Sequence, residues 1–472
     1  MSDLTQLSAT AMARLVRKRK VSPEELVDAH LERIERLNPR LNAYIYVDAA
    51  GARAQARKAA KNLRENLRET PPALAGVPVS IKSSISVEGM PWECGSRLRE
   101  GVRGVRDAPL VGRLRDAGAI VLGVTNVPEF LMAWETDNSI YGRTNSPWDP
   151  ERTAGGSSGG ESAAIASGMS AGGVGSDGGG SIRVPAHFTG ICGLKPTPGR
   201  VPATGHFPVS AGPFASLGVV GPMARTVSDV RLLFEAMAGP DDGDPAAAPV
   251  PLASPRKREL RRLTVGCFES DGTTPVTPEI LAAVRRARAA LEDQGFQVRD
   301  FCPGGLGEIY RLWWNLFGRA VGTLLAPMFK GRESDLSATL SQFNGYVDNS
   351  PPLTRDDLME TLLRRDALRT RLLEEMREFP VLLCPVAAIP AFRHGEREWN
   401  VDGQRVEYLD AWRYTAWFNL TGSPAISVPI PQVGELPAGV QLVGRPWADE
   451  ALLGVAALLE EAVGTHRSPP LD

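Results

Sequence analysis

Cysteine and histidine are scarce in this sequence, and neither is arranged for the chemistry it usually serves. The five cysteines, at positions 94, 192, 267, 302 and 384, stand singly, with no C-x-x-C pair. That is neither a disulfide framework nor a zinc-site spacing, and it suits a reducing cytosol. None of the five histidines falls into H-x-H or H-E-x-x-H, so no ligand set for a catalytic metal is offered. A long hydrophobic run is missing too. The most apolar stretch, Leu312 to Met328, is broken by Asn315 and Arg319, short of the roughly 18 apolar residues of a membrane span. The opening Met1-Ser2-Asp3-Leu4 has no basic segment leading into an apolar one, which speaks against a signal peptide. A basic excess is also lacking: the formal net charge is −2, where a protein held to phosphates would carry a surplus of cations. These absences lead us to expect a cytoplasmic protein with no metal or organic cofactor, no nucleic-acid partner and no membrane span.

Lysine is scarce as well, at eight of 53 basic residues. Most of the eight lie in polar, exposed-looking stretches such as Arg17-Lys18-Arg19-Lys20. Lys82 instead follows the apolar run Val77-Pro78-Val79-Ser80-Ile81.

What is present reads as a large α/β enzyme. A chain of 472 residues, 43% apolar, can bury an extensive core, and by length alone would make about two or three domains. Ser22-Pro23-Glu24-Glu25 carries a capping serine, a first-turn proline and a reaching glutamate, and Leu26, His30, Ile34 and Leu37 follow at helical spacing, so a helix is expected to about Arg36. Ala52 to Glu69 reads as a solvated helix. Val77–Ile81 and Ile120–Val124 read as buried strands on either side of a helix over Pro109–Ala117, an alternation that suggests a layered α/β sandwich. Thr226-Val227-Ser228-Asp229 caps a helix that Gly239 ends. Residues 239–255, rich in Pro, Asp and Ala, read as a surface loop inside one domain spanning 1–472, with helices over 1–70. Strand and helix resume at Leu263 and at Thr277-Pro278-Glu279.

Two glycine-serine segments stand out: Gly155-Gly156-Ser157-Ser158-Gly159-Gly160, and Gly175-Ser176-Asp177-Gly178-Gly179-Gly180-Ser181. Consecutive glycines let main-chain N–H groups converge on one point, and such a nest binds an anion. With a serine at its end, the same nest can hold the oxyanion formed when that serine attacks a carbonyl. The serine needs a base. His187 and His206 lie in turn-like sequence, and His394 and His466 are remote. A lysine serves if burial lowers its pKa toward neutrality, and Lys82 is placed for that. A hydroxyl between lysine and nucleophile, from Ser157 or Ser158, would relay the proton.

In these segments the sequence resembles the amidase signature family. The glycine-serine blocks at 155–160 and 175–186 are joined by Gly193-Leu194-Lys195-Pro196-Thr197-Pro198-Gly199-Arg200, by the lysine strand at 76–82 and by Thr125-Asn126-Val127-Pro128-Glu129-Phe130. Further C-terminal matches fall at 418–425 and 439–446. The resemblance implies an α/β/α sandwich around a large mixed β-sheet, with a signature core over 76–200. It assigns Lys82 as base, Ser157 as the bridging serine and Ser181 as nucleophile. The backbone N–H groups of Gly178, Gly179, Gly180 and Ser181 become the oxyanion hole. It also implies that Trp313, Trp314 and Phe317 could wall an acyl pocket, although their helical spacing suits core packing as well. Asp177 and Arg183 flank the nucleophile as partners that hold its turn. The expected partner is a small-molecule amide, and a homodimer is admitted.

The implied reaction is hydrolysis of a carboxamide through an acyl-enzyme, by a stand-alone amidase resembling the fatty acid amide hydrolase-like and bacterial branch. The alternative is the A-type subunit of a glutamyl-tRNA(Gln) amidotransferase. Ser83-Ser84, where many members have Asp-Asn, and Glu161 argue against that alternative. Two other matches mislead. Gly173 to Gly178 satisfies G-x-G-x-x-G, but no helix or closing acidic residue follows as a dinucleotide site requires. Gly155 to Gly159 satisfies G-x-S-x-G, but lacks the later Asp and His of a nucleophile elbow. Cys192, in an apolar run, reads as a buried structural thiol.

Overall fold

The computed structural model describes residues 3–65, 70–431, 434–464 and 467–471. The end of the expected helix at Glu69, and His466, lie outside them. The strands are β1 (Tyr44–Val47), β2 (Pro78–Lys82), β3 (Ile120–Thr125), β4 (Gly172–Asp177), β5 (Cys192–Lys195), β6 (Val219–Ala224), β7 (Thr264–Cys267), β8 (Gln297–Asp300), β9 (Val381–Pro385), β10 (Glu398–Val401), β11 (Gln404–Glu407), β12 (Ala425–Pro429) and β13 (Gly439–Gly444). Among the described residues, eleven of these form one mixed sheet in the order β1-β3-β2-β4-β6-β5-β12-β13-β9-β7-β8, and β10 and β11 make a separate hairpin. Strand β2 runs parallel to both β3 and β4, and β7 parallel to β8 and β9; the remaining pairs are antiparallel.

Both faces of the sheet are covered at its inner strands, which explains why β3 and β9 read as continuous apolar runs. Alternate side chains divide between two cores. Cys192 and Leu194 of β5, Ile426 and Val428 of β12, and Val440 and Leu442 of β13 point to one core. Helices Val227–Met237, Pro278–Asp293 and Asp449–Val463 pack there through Leu233, Val284 and Val455. On the other face, Gly193 meets Ile182 and Ala186, beside helices Gly159–Ala166 and Arg183–Thr189. The result is the α/β/α sandwich expected of the resemblance.

The first long helix, Pro23–Leu41, starts as its capping box dictates: Ser22 Oγ accepts from the Glu25 N–H at 3.1 Å, and the Ser22 N–H donates to Glu25 Oε2 at 2.7 Å. It continues past Arg36 and through Pro39, because Leu37 and Leu41 prolong its buried face. Thr226 caps helix Val227–Met237 through the Asp229 N–H, and the chain turns away at Ala238. From Gly239 to Arg256 no helix or strand forms, and the strands on either side belong to the same sheet.

Candidate active site

Lys82 ends β2, and the parallel pairing of Ile81 with Val174 sets it beside Ser176 of β4. The side chain is fully buried. Its Nζ lies 2.8 Å from Ser157 Oγ, 2.8 Å from Ser158 Oγ, 3.0 Å from Ser176 Oγ and 3.3 Å from the Ser176 carbonyl. Ser176 is a neighbour that sequence reasoning missed, although it stands between two glycine-rich stretches. Burial lowers the Lys82 pKa from 10.5 to about 7, against the upward pull of Cys94, Asp177 and Glu161. Glu161 sits on the same side of the sheet, where Ser80 Oγ and Thr125 Oγ1 donate to its two oxygens. Burial raises its pKa to about 7, with both hydroxyls and Lys82 pulling the other way.

The two glycine-serine segments meet where the Ser158 N–H donates to the Ser181 carbonyl at 3.2 Å. Ser158 stands at the start of helix Gly159–Ala166, and the preceding Gly156–Ser157 peptide is cis. Beyond β4 the chain turns around the Asp177 carboxylate. It accepts from the N–H groups of Gly180 at 2.7 Å and Ile182 at 3.1 Å, and pairs with the Arg183 guanidinium at 3.0 Å. Burial would raise the Asp177 carboxyl, but Arg183 and Asn419 outweigh it and hold it well below the usual carboxylate range. Arg183 also reaches Gln441 Oε1, Asn419 Oδ1 and the Thr415 carbonyl. Asp177 and Arg183 therefore hold the turn that presents Ser181.

The turn corrects one detail of the expected oxyanion set. The Gly180 N–H is engaged by Asp177, because φ of +114° at Gly180 swings that peptide toward the carboxylate. Gly178, Gly179 and Ser181 remain as candidate donors. The carbonyls of the turn are held as well. Trp313 Nε1 donates to the Gly178 oxygen at 2.9 Å, Trp134 Nε1 to the Gly179 oxygen at 2.9 Å, and Thr415 Oγ1 to the Gly179 oxygen at 3.0 Å.

Ser157, Ser176, Gly178 and Ser181 line a cavity of about 420 Å³. The rest of its wall is largely apolar, with Phe130, Phe214, Phe317, Val321 and Leu325. Of the three expected pocket aromatics, only Phe317 faces it. Trp313 is fully buried, stacked on Phe317 with centroids 4.6 Å apart and pressed against Gly179. Trp314 packs on Phe343 and donates to Ser350 Oγ at 3.1 Å. The physical reason is the helix: Trp314 points away to Phe343, while Trp313 and Phe317, four residues apart on one face, stack so that Phe317 reaches the cavity and Trp313 sits behind it against Gly179.

No histidine takes the place of the lysine among the described residues. His187 lies in helix Arg183–Thr189 rather than in a turn, and its Nδ1 accepts from the Gly439 N–H at 2.7 Å. His206 borders the cavity, with Nδ1 2.9 Å from the Pro208 carbonyl, and burial lowers its pKa to about 4. The G-x-G-x-x-G run is strand β4, so no helix opens there. Cys192 is buried, and burial pushes its thiol well above the usual range. Among the described residues no group of His, Cys, Asp and Glu is arranged to hold a metal ion, and no helix is long and apolar enough to cross a membrane. Lys195, within the motif at 193–200, is a second fully buried lysine, also lowered to about 7 by burial. Its Nζ donates to the Pro196 carbonyl at 3.1 Å, and it is not among the residues that line the cavity.

A sequence model of the family described as Amidase matches residues 25–453. The chain belongs to the amidase signature family. It is 33% identical to an indoleacetamide hydrolase of Bradyrhizobium diazoefficiens, over 98% of this chain and 88% of that protein. It is 36% identical to the A-type subunit of a glutamyl-tRNA(Gln) amidotransferase of Acidothermus cellulolyticus, over 98% of this chain and 95% of that one. The solved structure of a bacterial aryl acylamidase of the amidase signature family superposes with a TM-score of 0.85 at 27% identity, covering 97% of this chain and 96% of that one. With these relatives the amidase signature chain is an amide-hydrolysing enzyme. Ser83-Ser84 does not separate it from the amidotransferase subunits, since relatives of both kinds match at similar identity; two positions weigh little against agreement along the whole chain.

Proposed function

We propose that the chain hydrolyses a carboxamide by acyl transfer to Ser181, with Lys82 as base and Ser157 as proton bridge. One observation carries the reading: the buried Lys82, with a pKa near 7, reaches Ser157 Oγ at 2.8 Å, and Ser157 and Ser181 open on the same cavity. Neutral Lys82 takes the Ser157 proton as Ser157 takes that of Ser181, whose oxygen attacks the carbonyl. The oxyanion is received by the N–H groups of Gly178, Gly179 and Ser181. Ser157 returns a proton to the leaving nitrogen, and ammonia or an amine departs. Water then enters by the same relay and releases the carboxylic acid. The largely apolar wall favours an amide with an aromatic or aliphatic acyl group. A cytoplasmic setting goes with the reading, and the five unpaired cysteines suit it.

A second reading, the A-type subunit of a glutamyl-tRNA(Gln) amidotransferase, draws on the 36% identity to one such protein. The cavity weighs against it. Among the described residues its wall carries no lysine or arginine to meet the carboxylate of glutamine. Glutaminase activity, together with copurifying partner subunits, would favour this second reading. A fluorophosphonate probe tests the first. It should modify the peptide containing Ser181, and label on Ser157 with none on Ser181 would reverse the two roles.

A further inference from the structure

The mechanism asks Gly178 and Gly179, in a run of three glycines, to keep their N–H groups aimed while the Gly180 N–H stays on Asp177, which is what glycines do least well. With no Cβ, a peptide unit between two glycines can flip at little cost and present its carbonyl where its N–H stood. A carbonyl turned toward a developing oxyanion would repel it. Something outside the loop must therefore fix the peptide planes.

The hydrogen bonds of the loop carbonyls do this. A trans peptide points its C=O and N–H in opposite directions. The Trp313 indole on the Gly178 oxygen, at 2.9 Å, thus turns the Gly179 N–H away from Trp313. The Trp134 indole on the Gly179 oxygen, also at 2.9 Å, turns the Gly180 N–H the other way, onto Asp177. Both rings are buried and cannot swing out. Trp313 is stacked on Phe317, Trp134 is stacked on Trp412 with centroids 5.8 Å apart, and the two lie 6.0 Å from each other. Each buried indole N–H also requires an acceptor, so the bond is held from both ends. Independently, a Cβ at Gly179 would run into the Trp313 ring, so the glycine is what admits this contact.

We infer that Trp313 and Trp134 are positioning residues, which hold the glycine turn in its oxyanion-accepting form by donating their indole N–H groups to the Gly178 and Gly179 carbonyls. The inference rests on the proposed acyl-transfer reading. Neither ring lines the cavity, so their loss falls on the transition state and not on substrate binding.

The test compares Trp313→Phe and Trp134→Phe with Trp314→Phe, whose N–H bonds Ser350 away from the turn. Trp313→Phe should lower kcat about tenfold or more, less than the roughly 10²–10³-fold cost of deleting an oxyanion donor outright, and Trp134→Phe should lower it by less, because Thr415 Oγ1 still holds the Gly179 carbonyl; KM should be nearly unchanged in both. Affinity for an aldehyde analogue, which closes to a tetrahedral adduct on Ser181, should fall in parallel with kcat. Trp314→Phe should change neither. A lower melting temperature with kcat and adduct affinity intact would reduce both tryptophans to packing and overturn the inference. If Trp313→Phe does not fold, 3-benzothienylalanine at 313 keeps the ring shape and removes only the donor, and retention of kcat there also overturns it. Loss of the inference leaves wild-type turnover and Ser181 labelling intact, whereas failure of the acyl-transfer reading abolishes the labelling itself.

Discussion

Lys82 Nζ lies as close to Ser158 Oγ as to Ser157 Oγ, 2.8 Å in each case. Distance alone does not decide which hydroxyl relays the proton. Access favours Ser157, which lines the cavity with Ser181 while Ser158 does not. Ser157→Ala should therefore lose on the order of 10²–10⁴-fold in kcat, the range of a positioned acid–base group, while Ser158→Ala keeps turnover within about tenfold of wild type. Steady-state kinetics on folded variants decide it, and the opposite ranking would move the bridge to Ser158.

Because burial holds Lys82 near 7, its neutral fraction grows as pH rises through that value. The rate constant kcat/KM should climb through a single ionisation near pH 7 and then level. Lys82→Arg should stay flat and low, since a guanidinium cannot accept the proton. Stability responds as well. Between about pH 7 and 10.5 the unfolded lysine keeps a proton that the folded one has shed, so this residue's contribution to stability increases with pH across that window. Lys82→Met should be the more stable protein at pH 6, with the gap narrowing toward pH 10. Thermal unfolding at a series of pH values measures it, and a constant gap would contradict the buried, depressed lysine.

Glu161 raises the Lys82 pKa when ionised. Glu161→Gln removes that charge, so the rising limb of the pH–rate profile should move to lower pH, by up to about one unit. A shift to higher pH would mean that Glu161 acts on Lys82 by something other than its charge.

Phe317 faces the cavity and Trp314 does not. Phe317→Ala should lower kcat/KM for an aryl amide by about tenfold while barely affecting acetamide, since one lost apolar contact in a pocket is worth roughly 1–3 kcal/mol. Trp314→Ala should lower the melting temperature and leave the ratio between the two substrates unchanged. A substrate panel run beside calorimetry distinguishes them.

Lys82 and Ser181 stand out in the chain because each follows a local signal, an apolar strand or a glycine run, whereas the choice of Ser157 over Ser158 comes from the family resemblance and not from spacing. The sandwich is legible for a similar reason, through apolar runs alternating with helical patterns. The strand order is not. Nothing local in Cys192–Lys195 announces that β5 pairs with β12, more than 200 residues on. The same limit applies to the site's supports. Trp134 and Thr415 meet the Gly179 carbonyl from 45 and 236 residues away, and no periodicity records such a contact. The aromatic spacing at 310–317 identifies a helix face but not its neighbours, so Trp313 reads as a pocket wall when it lies behind the glycine turn.

The ties from Asn419 to Asp177 and from Gln441 to Arg183 span 242 and 258 residues. They set an order of assembly during synthesis. The serines and the lysine leave the ribosome early, and the Asp177–Arg183 pair of the turn then still lacks Asn419, Gln441 and the Thr415 carbonyl. Only when β12 and β13 close onto β5 and β9 is that pair completed. Such long-range pairing is slow compared with local helix formation. A chain ending near residue 400 would therefore keep Lys82, Ser157 and Ser181 and lack the side chains of Asn419 and Gln441 that brace the Asp177–Arg183 turn.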